Sequence, residues 1–262
     1  MITSSSNSQI KNVINLLKKS GERKRRGLFV IEGIRMFSEI PKDRIVKVYA
    51  SESFARDNEA VLNGMEYELV SDRVFEQMSD TKTPQGILAL VEMLSYSLED
   101  MIKKARENKR TPVMVVLENI QDPGNLGTII RSAEGAGATG IIMSKDTVDI
   151  YNPKTIRSTM GALFRMPFFY AEDIIETVKE LKDNGINIFA AHLKGQNNYF
   201  EENLSMPMAL LIGNEGNGLT KDLTKQADIL VRIPMEGQLE SLNAAVSTAV
   251  ILYEAYRQRK EI

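Results

Sequence analysis

Five short, almost uninterrupted apolar runs in the second half of the chain leave it few possible folds. They are "VMVVLEN" from Val113, "GIIMS" from Gly140, "INIFAA" from Ile186, "MALLIG" from Met208 and "ILVRIP" from Ile229. A strand apolar along its whole length must be covered on both faces, which is the condition of a parallel sheet layered between helices. The intervening segments, among them "LGTIIRSAEGAG", "AEDIIETVKELKDNG" and "TKDLTKQA", have helical character. The expected fold is therefore α/β, a parallel sheet with helices on both faces. Ligands of such sheets bind at the C-terminal ends of the strands. Three loops at those ends are unusual in composition: "ENIQDPGNLG", "GNEGNGLT" and "PMEGQLESLN".

The first hundred residues alternate weaker helix and strand signals, from "SQIKNVINLLKK" through "LFVIEG" and "IVKVYASE" to "GILALVEM". They predict a separate, smaller α/β domain over residues 1–97. The charged stretch 98–112, "LEDMIKKARENKRTP", is expected to be a linker, and 113–262 the main domain. A length of 262 residues accommodates both.

Composition removes several chemistries. There is no cysteine, so disulfides, thiolate metal sites and a cysteine nucleophile are excluded. One histidine, His192, leaves little scope for a zinc site or a serine–histidine triad and is given no role; no metal is expected. No run approaches the roughly 18 apolar residues of a membrane span. The N-terminal residues lack the pattern of a secretory signal, and a cytoplasmic location without membrane association is expected. Net charge is only -2, yet residues 1–30 hold seven Lys or Arg against one Glu, a local +6. A polyanion would meet that segment first, and its densest part, Arg23, Lys24, Arg25 and Arg26, fits either a nucleic-acid contact or a solvated turn.

Two glycine patterns mislead. "GAGATG" at 135–140 fits a dinucleotide fingerprint but follows a helix and precedes a strand, the reverse of the required order. Gly213 and Gly218 have P-loop spacing, but Leu219 stands where the phosphate-binding lysine belongs. What remains is a polar constellation: Asn125 and Arg131 from the first loop and its helix, Glu215 from the second, and Ser241 and Asn243 opening the last helix. Asn125 and Arg131 lie six residues apart, 240° around a helix, so their convergence requires Asn125 in the loop. Ser241 and Asn243 also suit helix capping. The helix after them carries Leu242, Val246, Ala249, Tyr253 and Tyr256 at helical spacing, an apolar stripe that needs a partner.

"ENIQDPGNLGTIIRSAEGAGATGII", "LLIGNEGNGLT" and "IPMEGQLESLNAAVSTAVILYE" resemble, in order, the three motifs of the SpoU (TrmH-type) RNA ribose methyltransferases of the SPOUT class. "FVIEGIRMFSEI" and "TKTPQGILALVEM" resemble that family's ribosomal-protein-like substrate-binding domain. The resemblance implies a deep trefoil knot in the main domain, a homodimer, and S-adenosylmethionine as methyl donor. It implies donor contacts by Leu211, Ile212, Gly213, Asn214, Gly218, Ile233, Met235 and Leu242. Methyl transfer to a ribose 2′-hydroxyl would involve Asn125, Arg131, Glu215, Ser241 and Asn243. RNA, ribosomal (23S) in preference to transfer RNA, would meet Arg23 to Arg26, Lys82, Lys154 and Arg157. Two alternatives are an inactive RNA-binding or ribosome-assembly factor of the same fold and a base-nitrogen methyltransferase.

Overall fold

In the computed structural model, which describes residues 1–260, the chain divides into two compact units. One comprises residues 1–94 with 149–164, the other 95–148 with the chain from Arg165. The last two residues of the expected 113–262 domain lie outside the described ones.

In the first unit, β1 (Leu28–Glu32), β2 (Ile45–Ser51), β3 (Tyr67–Val70) and β4 (Ile87–Glu92) form a mixed sheet in the order β1-β4-β2-β3. α1 (Ser8–Lys18) and α2 (Ser20–Arg26) precede β1, and α3 (Ile34–Ser38) follows it. α4 (Glu52–Asp57) and α5 (Glu59–Leu62) connect β2 to β3, and α6 (Asp72–Met78) lies between β3 and β4. α1 places Ile10, Val13, Leu16 and Leu17 on one face, and they share a core with Val30, Tyr49, Phe75 and Leu88.

The second unit is built on seven parallel strands in the order β7-β6-β5-β10-β8-β11-β9. Its elements follow as α7 (Leu98–Glu107), β5 (Val113–Leu117), α8 (Pro123–Gly135), β6 (Gly140–Ser144), then α9 (Pro153–Thr159), which belongs to the first unit. They continue as β7 (Phe168–Ala171), α10 (Ile174–Asp183), β8 (Asn187–Ala191), β9 (Asn197–Asn198), β10 (Met208–Ile212), α11 (Lys221–Thr224), β11 (Ile229–Arg232) and α12 (Ala244–Lys260). Met114, Val116, Ile142, Ile188, Ala209 and Leu211 meet side chains of α7, α10 and α11 in one core cluster. The alternate residues Val113, Val115, Leu117, Ile141, Met143, Leu210 and Ile212 are equally buried, and α12 packs against β10 and α8. Both faces are covered, as the continuous apolar runs require.

Two boundaries differ from expectation. Residues 98–107 are not a linker but α7, whose Leu98, Met101, Ile102 and Ala105 recur at spacings of three and four and are buried on the sheet. Their signal is diluted by six charged neighbours, yet four correctly spaced positions suffice to cover a sheet face. Residues 149–164 depart from the expected 113–262 domain and pack with the first unit. There the Tyr151 hydroxyl accepts from the Leu94 amide at 2.7 Å and donates to the Leu94 carbonyl at 2.9 Å. The Tyr151 ring stacks obliquely on Phe29, with centroids 4.6 Å apart.

The same segment corrects the role expected of Arg23. α2 turns Lys24, Arg25 and Arg26 outward but position 23 inward, where Arg23 is only 3% exposed. Its Nε and Nη2 donate to Asp149 at 3.0 and 2.5 Å, and Nη1 donates to the carbonyls of Leu16 and Leu17 at 2.7 and 3.2 Å. This guanidinium joins α1, α2 and the 149–164 segment and has no face toward a polyanion. Arg23→Ala leaves the Asp149 carboxylate unpaired and should destabilise the first unit by about 3 kcal/mol. Asp149→Ala strands a more deeply buried charge and should cost at least as much. Urea midpoints followed by circular dichroism measure both; an Arg23→Ala protein of unchanged stability would return this residue to the RNA-contact set.

Candidate active site

The register of the central strands brings three loops together. Ile212 at the end of β10 pairs with Leu117 at the end of β5, and β8 and β11 end beside them. The loops that follow β5, β10 and β11 therefore leave the sheet side by side, where ligands of parallel sheets bind.

Glu215 is the centre of this edge. Its carboxylate accepts from the backbone N–H of Gln121 at 3.2 Å, that of Asp122 at 3.1 Å, and the Asn125 side-chain amide at 2.9 Å. Burial alone would push this carboxyl up, but the hydrogen bonds outweigh it and hold Glu215 below its ordinary value of 4.5. Asn125 Oδ1 in turn accepts from Asn243 Nδ2 at 3.0 Å. Asn243 Oδ1 accepts from the amides of Ala245 and Val246 at 2.8 and 3.3 Å, so the same side chain caps α12 and closes the network. α8 and α12 thus both begin at this point, each directing the positive end of a helix dipole toward it.

The remaining polar candidates are placed differently. Asn125 is not in the loop before α8 but in its first turn, behind Pro123 and the capping Asp122. Arg131, six residues on, consequently projects from another face, exposed and without a hydrogen bond or ion pair among the described residues. Ser241 lies three residues before α12, exposed, with no side-chain hydrogen bond among the described residues; it lines the cavity described next and caps nothing.

A cavity of about 680 Å³ opens beside the Glu215 loop. Ile212, Gly213, Asn214, Gly218, Ile233, Met235 and Leu242 all line it. Leu211 does not: as the next residue along β10 it points to the opposite face and is fully buried in the sheet core. The loop 213–220 is folded tightly on itself. Asn214 and Gly218 exchange backbone hydrogen bonds at 3.1 and 2.9 Å, and a Cβ on Gly213 would lie 2.1 Å from the carbonyl carbon of Gly218.

Several positions passed over in the sequence hold this arrangement. The Glu118 carboxylate, 6% exposed, accepts from the amide and the hydroxyl of Thr220, both at 2.7 Å, fixing the far end of the loop. Asn119 adopts φ +55°; its amide and Oδ1 bond Ser144 Oγ at 2.9 Å, and its carbonyl accepts from Asn214 at 2.7 Å. Asparagine enters the left-handed region more readily than other non-glycine residues, and these hydrogen bonds hold it there. His192, Leu193 and Lys194 also line the cavity, because β8 ends on the same edge; the strand-end rule that singled out three loops applies to this fourth one.

Residues 112–253 match the model of the SpoU rRNA Methylase family, and residues 7–89 that of the MRM3-like substrate binding domain. The chain belongs to the SpoU rRNA methylase family. It is 33% identical over 253 residues to the 23S rRNA (guanosine(2553)-2′-O)-methyltransferase RlmP of Bacillus subtilis, covering 96% of this chain and 97% of that one. An rRNA methyltransferase from Sinorhizobium meliloti superposes with a TM-score of 0.83 at 30% identity, covering 98% and 96% of the two chains. The SpoU methyltransferase AviRb from Streptomyces viridochromogenes, in complex with AdoMet, gives a TM-score of 0.83 at 29% identity over 97% and 98%.

For this SpoU-family chain, Gly213→Ala should force the 213–220 loop apart and abolish ligand binding at the cavity, measured by calorimetry with S-adenosylmethionine. Glu215 sets a pH window. Because its native value is lowered, its contribution is complete above 4.5 and is lost as the pH falls through the lowered value. The Asn125 amide resonances should shift in a single titration whose midpoint lies below 4.5. A midpoint above 4.5 would show that the carboxylate is not what orders Asn125.

Proposed function

We propose that this protein is an S-adenosylmethionine-dependent RNA methyltransferase that modifies a ribose 2′-hydroxyl, with ribosomal RNA, 23S first, as substrate. One observation carries the reading within this family: the Glu215–Asn125–Asn243 network stands beside the cavity at the C-terminal edge of the sheet. The cavity fits the donor. About 680 Å³ suits a small-molecule site, and Ile212, Ile233, Met235 and Leu242 offer apolar surface to a purine. Glu215 and Glu240, both in the lining, answer the donor's positive charges. The B. subtilis relative carries a ribose 2′-O activity in its name, and the AviRb neighbour was solved with AdoMet.

When bound, the donor would supply the methyl of its sulfonium, whose bond to sulfur breaks as the bond to the hydroxyl oxygen forms, leaving the sulfur behind as an uncharged thioether. The protein's work is to align the hydroxyl oxygen in line with that methyl and to manage the hydroxyl proton. Arg131 serves the second task by charge. A guanidinium stays protonated up to about pH 12, so it stabilises the developing alkoxide or holds the target phosphate rather than acting as a base, and the hydroxyl proton passes to water. Asn125 and Asn243, fixed by Glu215, present neutral hydrogen-bonding groups to the nucleotide, and Ser241 adds a hydroxyl from the cavity wall. No metal has a part in this scheme.

Arg131 reaches a donor if the protein is a homodimer. The stripe expected to need a partner is only partly covered: α12 buries Ala245, Thr248, Ile251, Leu252 and Ala255, Leu242 and Ala249 of the stripe are half-buried, and Val246, Tyr253 and Tyr256 remain 47, 50 and 38% exposed. A helix apolar on two faces calls for a second partner. Gly135, one turn along α8 from Arg131, lies against the Tyr253 hydroxyl, so Arg131 flanks this stripe. A second copy docked there would receive Arg131 at its own cavity. The proposal includes a cytoplasmic location; no described helix is long and apolar enough to cross a membrane.

RNA binding falls to the first unit, through the exposed Lys24, Arg25, Arg26, Lys82 and Lys154. Arg25 and Arg26 already share Glu22, at 2.7 and 3.3 Å, and Arg157 pairs with Asp80 at 3.0 Å, so their cost of release tempers their contribution.

Purified protein given labelled S-adenosylmethionine and ribosomal RNA should leave one phosphodiester resistant to alkali. Alkali-labile methylated RNA would mean base methylation, and no donor binding would mean an inactive RNA-binding factor. Arg131→Ala should lower transfer by at least about 100-fold with the donor still bound. Tyr253→Asp should convert a dimer to monomers in light scattering; a wild-type monomer would remove the shared-site scheme.

A further inference from the structure

One polar cluster of the first unit has no share in the fold's core or in the site above. Glu32, at the end of β1, is a carboxylate only 8% exposed. All its hydrogen bonds go to the loop 79–86 between α6 and β4. Oε1 accepts from the hydroxyl of Ser79 and, at 2.7 Å, from that of Thr81; Oε2 accepts from the amide of Asp80 at 3.1 Å. The far end of the loop is fixed as firmly. Gln85 Oε1 accepts from the Ile34 amide at 2.8 Å. Gly86 has φ +84°, and a Cβ added there would lie only 2.6 Å from side-chain atoms of Phe54 and Ser51. From the side, Asp80 takes the Arg157 guanidinium at 3.0 Å.

Between these anchors stand Lys82, Thr83 and Pro84. Lys82 and Thr83 are exposed, neither has a side-chain partner among the described residues, and Pro84 restricts the backbone. Lys154 is exposed on α9 one turn before Arg157, and Arg35 is exposed directly after the Ile34 amide that Gln85 holds. A buried carboxylate used to immobilise a loop whose apex is a cation and a hydroxyl is costly for stability alone, since burying charge is unfavourable without full compensation. It is explained if the apex must be presented in one geometry: a preordered loop loses little entropy on binding. Ammonium and hydroxyl donors together suit the phosphate and 2′-hydroxyl groups of an RNA backbone.

We propose that the loop 79–86 is a preorganised clasp for the RNA sugar–phosphate backbone, with Lys82 and Thr83 as its contacts and Glu32 as the buried positioning residue. This rests on the reading that the first unit binds RNA. Glu32 touches no substrate; it acts through Ser79, Asp80 and Thr81.

The test uses the full chain and protein-free 23S ribosomal RNA in filter binding across a salt series. Lys82→Ala should weaken binding roughly threefold to tenfold and reduce the slope of log affinity against log salt by about one. Glu32→Ala should weaken it comparably, leave S-adenosylmethionine binding unchanged in calorimetry, and add little when combined with Lys82→Ala, because both remove the same contact. Glu32→Gln should restore wild-type affinity: its oxygen can accept from Asp80 and its amide can donate to the hydroxyls of Ser79 and Thr81. If Lys82→Ala changes neither affinity nor slope while neutralising Lys24, Arg25 and Arg26 does, the clasp is wrong and RNA binding by this unit stands. If neither set matters, the RNA-binding reading fails and the clasp with it. Fully additive losses from Glu32→Ala and Lys82→Ala would overturn the positioning role, and should Glu32→Ala fail to fold, Glu32→Gln and Lys82→Ala still decide the matter.

Discussion

Burial of a parallel sheet on both faces is the constraint from which the rest of the second unit follows. Both faces of β5, β6, β8 and β10 are buried, so polar side chains have no place along the strands and collect at their ends. At the C-terminal end, the neighbouring registers of β5, β10, β8 and β11 leave four loops within reach of one another. Glu215 takes advantage of that proximity. One carboxylate satisfies two backbone amides of the loop after β5 and a side-chain amide from the first turn of α8, tying the second loop to the start of that helix. Without the doubly covered sheet there would be no common edge, and without that edge Glu215 would be an ordinary glycine-flanked surface acid.

Much of this was legible in the sequence because it depends on local pattern. Continuous apolar runs gave the parallel sheet, and the composition of three loops gave Asn125, Glu215 and Asn243. What escaped depends on contacts between distant segments. Nothing near Arg23 distinguishes it from Lys24 or Arg25; its burial is decided by Asp149, 126 residues away. Glu118 and Asn119 read as the polar end of a strand until Thr220, Ser144 and Asn214 are set beside them. α7 was hidden for a different reason: periodicity is carried by four apolar residues among six charged ones, and composition outweighed spacing. Leu211 shows the cost of carrying a whole motif to a site, since alternation along β10 sends it into the core while Ile212 and Gly213 face the cavity.

Asn243 illustrates why capping and function need not be rival explanations. A helix N-terminus requires an acceptor for its first amides, and an asparagine supplies one while keeping two donors. Here the oxygen serves Ala245 and Val246 and the nitrogen serves Asn125. The cap therefore fixes the rotamer of a site residue at no further entropic cost, and the orientation of α12 is linked to the orientation of the site. Ser241, which has no such bond, is free of that constraint and sits on the cavity wall instead.

The charge distribution completes the division of labour. Residues 111–262 hold 14 Lys and Arg against 19 Asp and Glu, so the half that carries the cavity would repel RNA at long range. Within it, Arg131 is an exposed cation on the one helix whose start is organised by Glu215. The first unit compensates, and the 149–164 segment extends it: a stretch lying between two motifs of the methyltransferase half folds with the first unit through Arg23–Asp149 and Tyr151–Leu94. α9 then contributes Lys154 to the basic surface, and Arg157 steadies the loop that presents Lys82. In the proposed function, electrostatic attraction and methyl transfer place opposite demands on local charge, because a cavity that holds a cationic donor gains from carboxylates that weaken an RNA-binding surface. Assigning the two tasks to different units, joined by a segment that belongs by sequence to one and by packing to the other, lets each unit keep the charge its own chemistry requires.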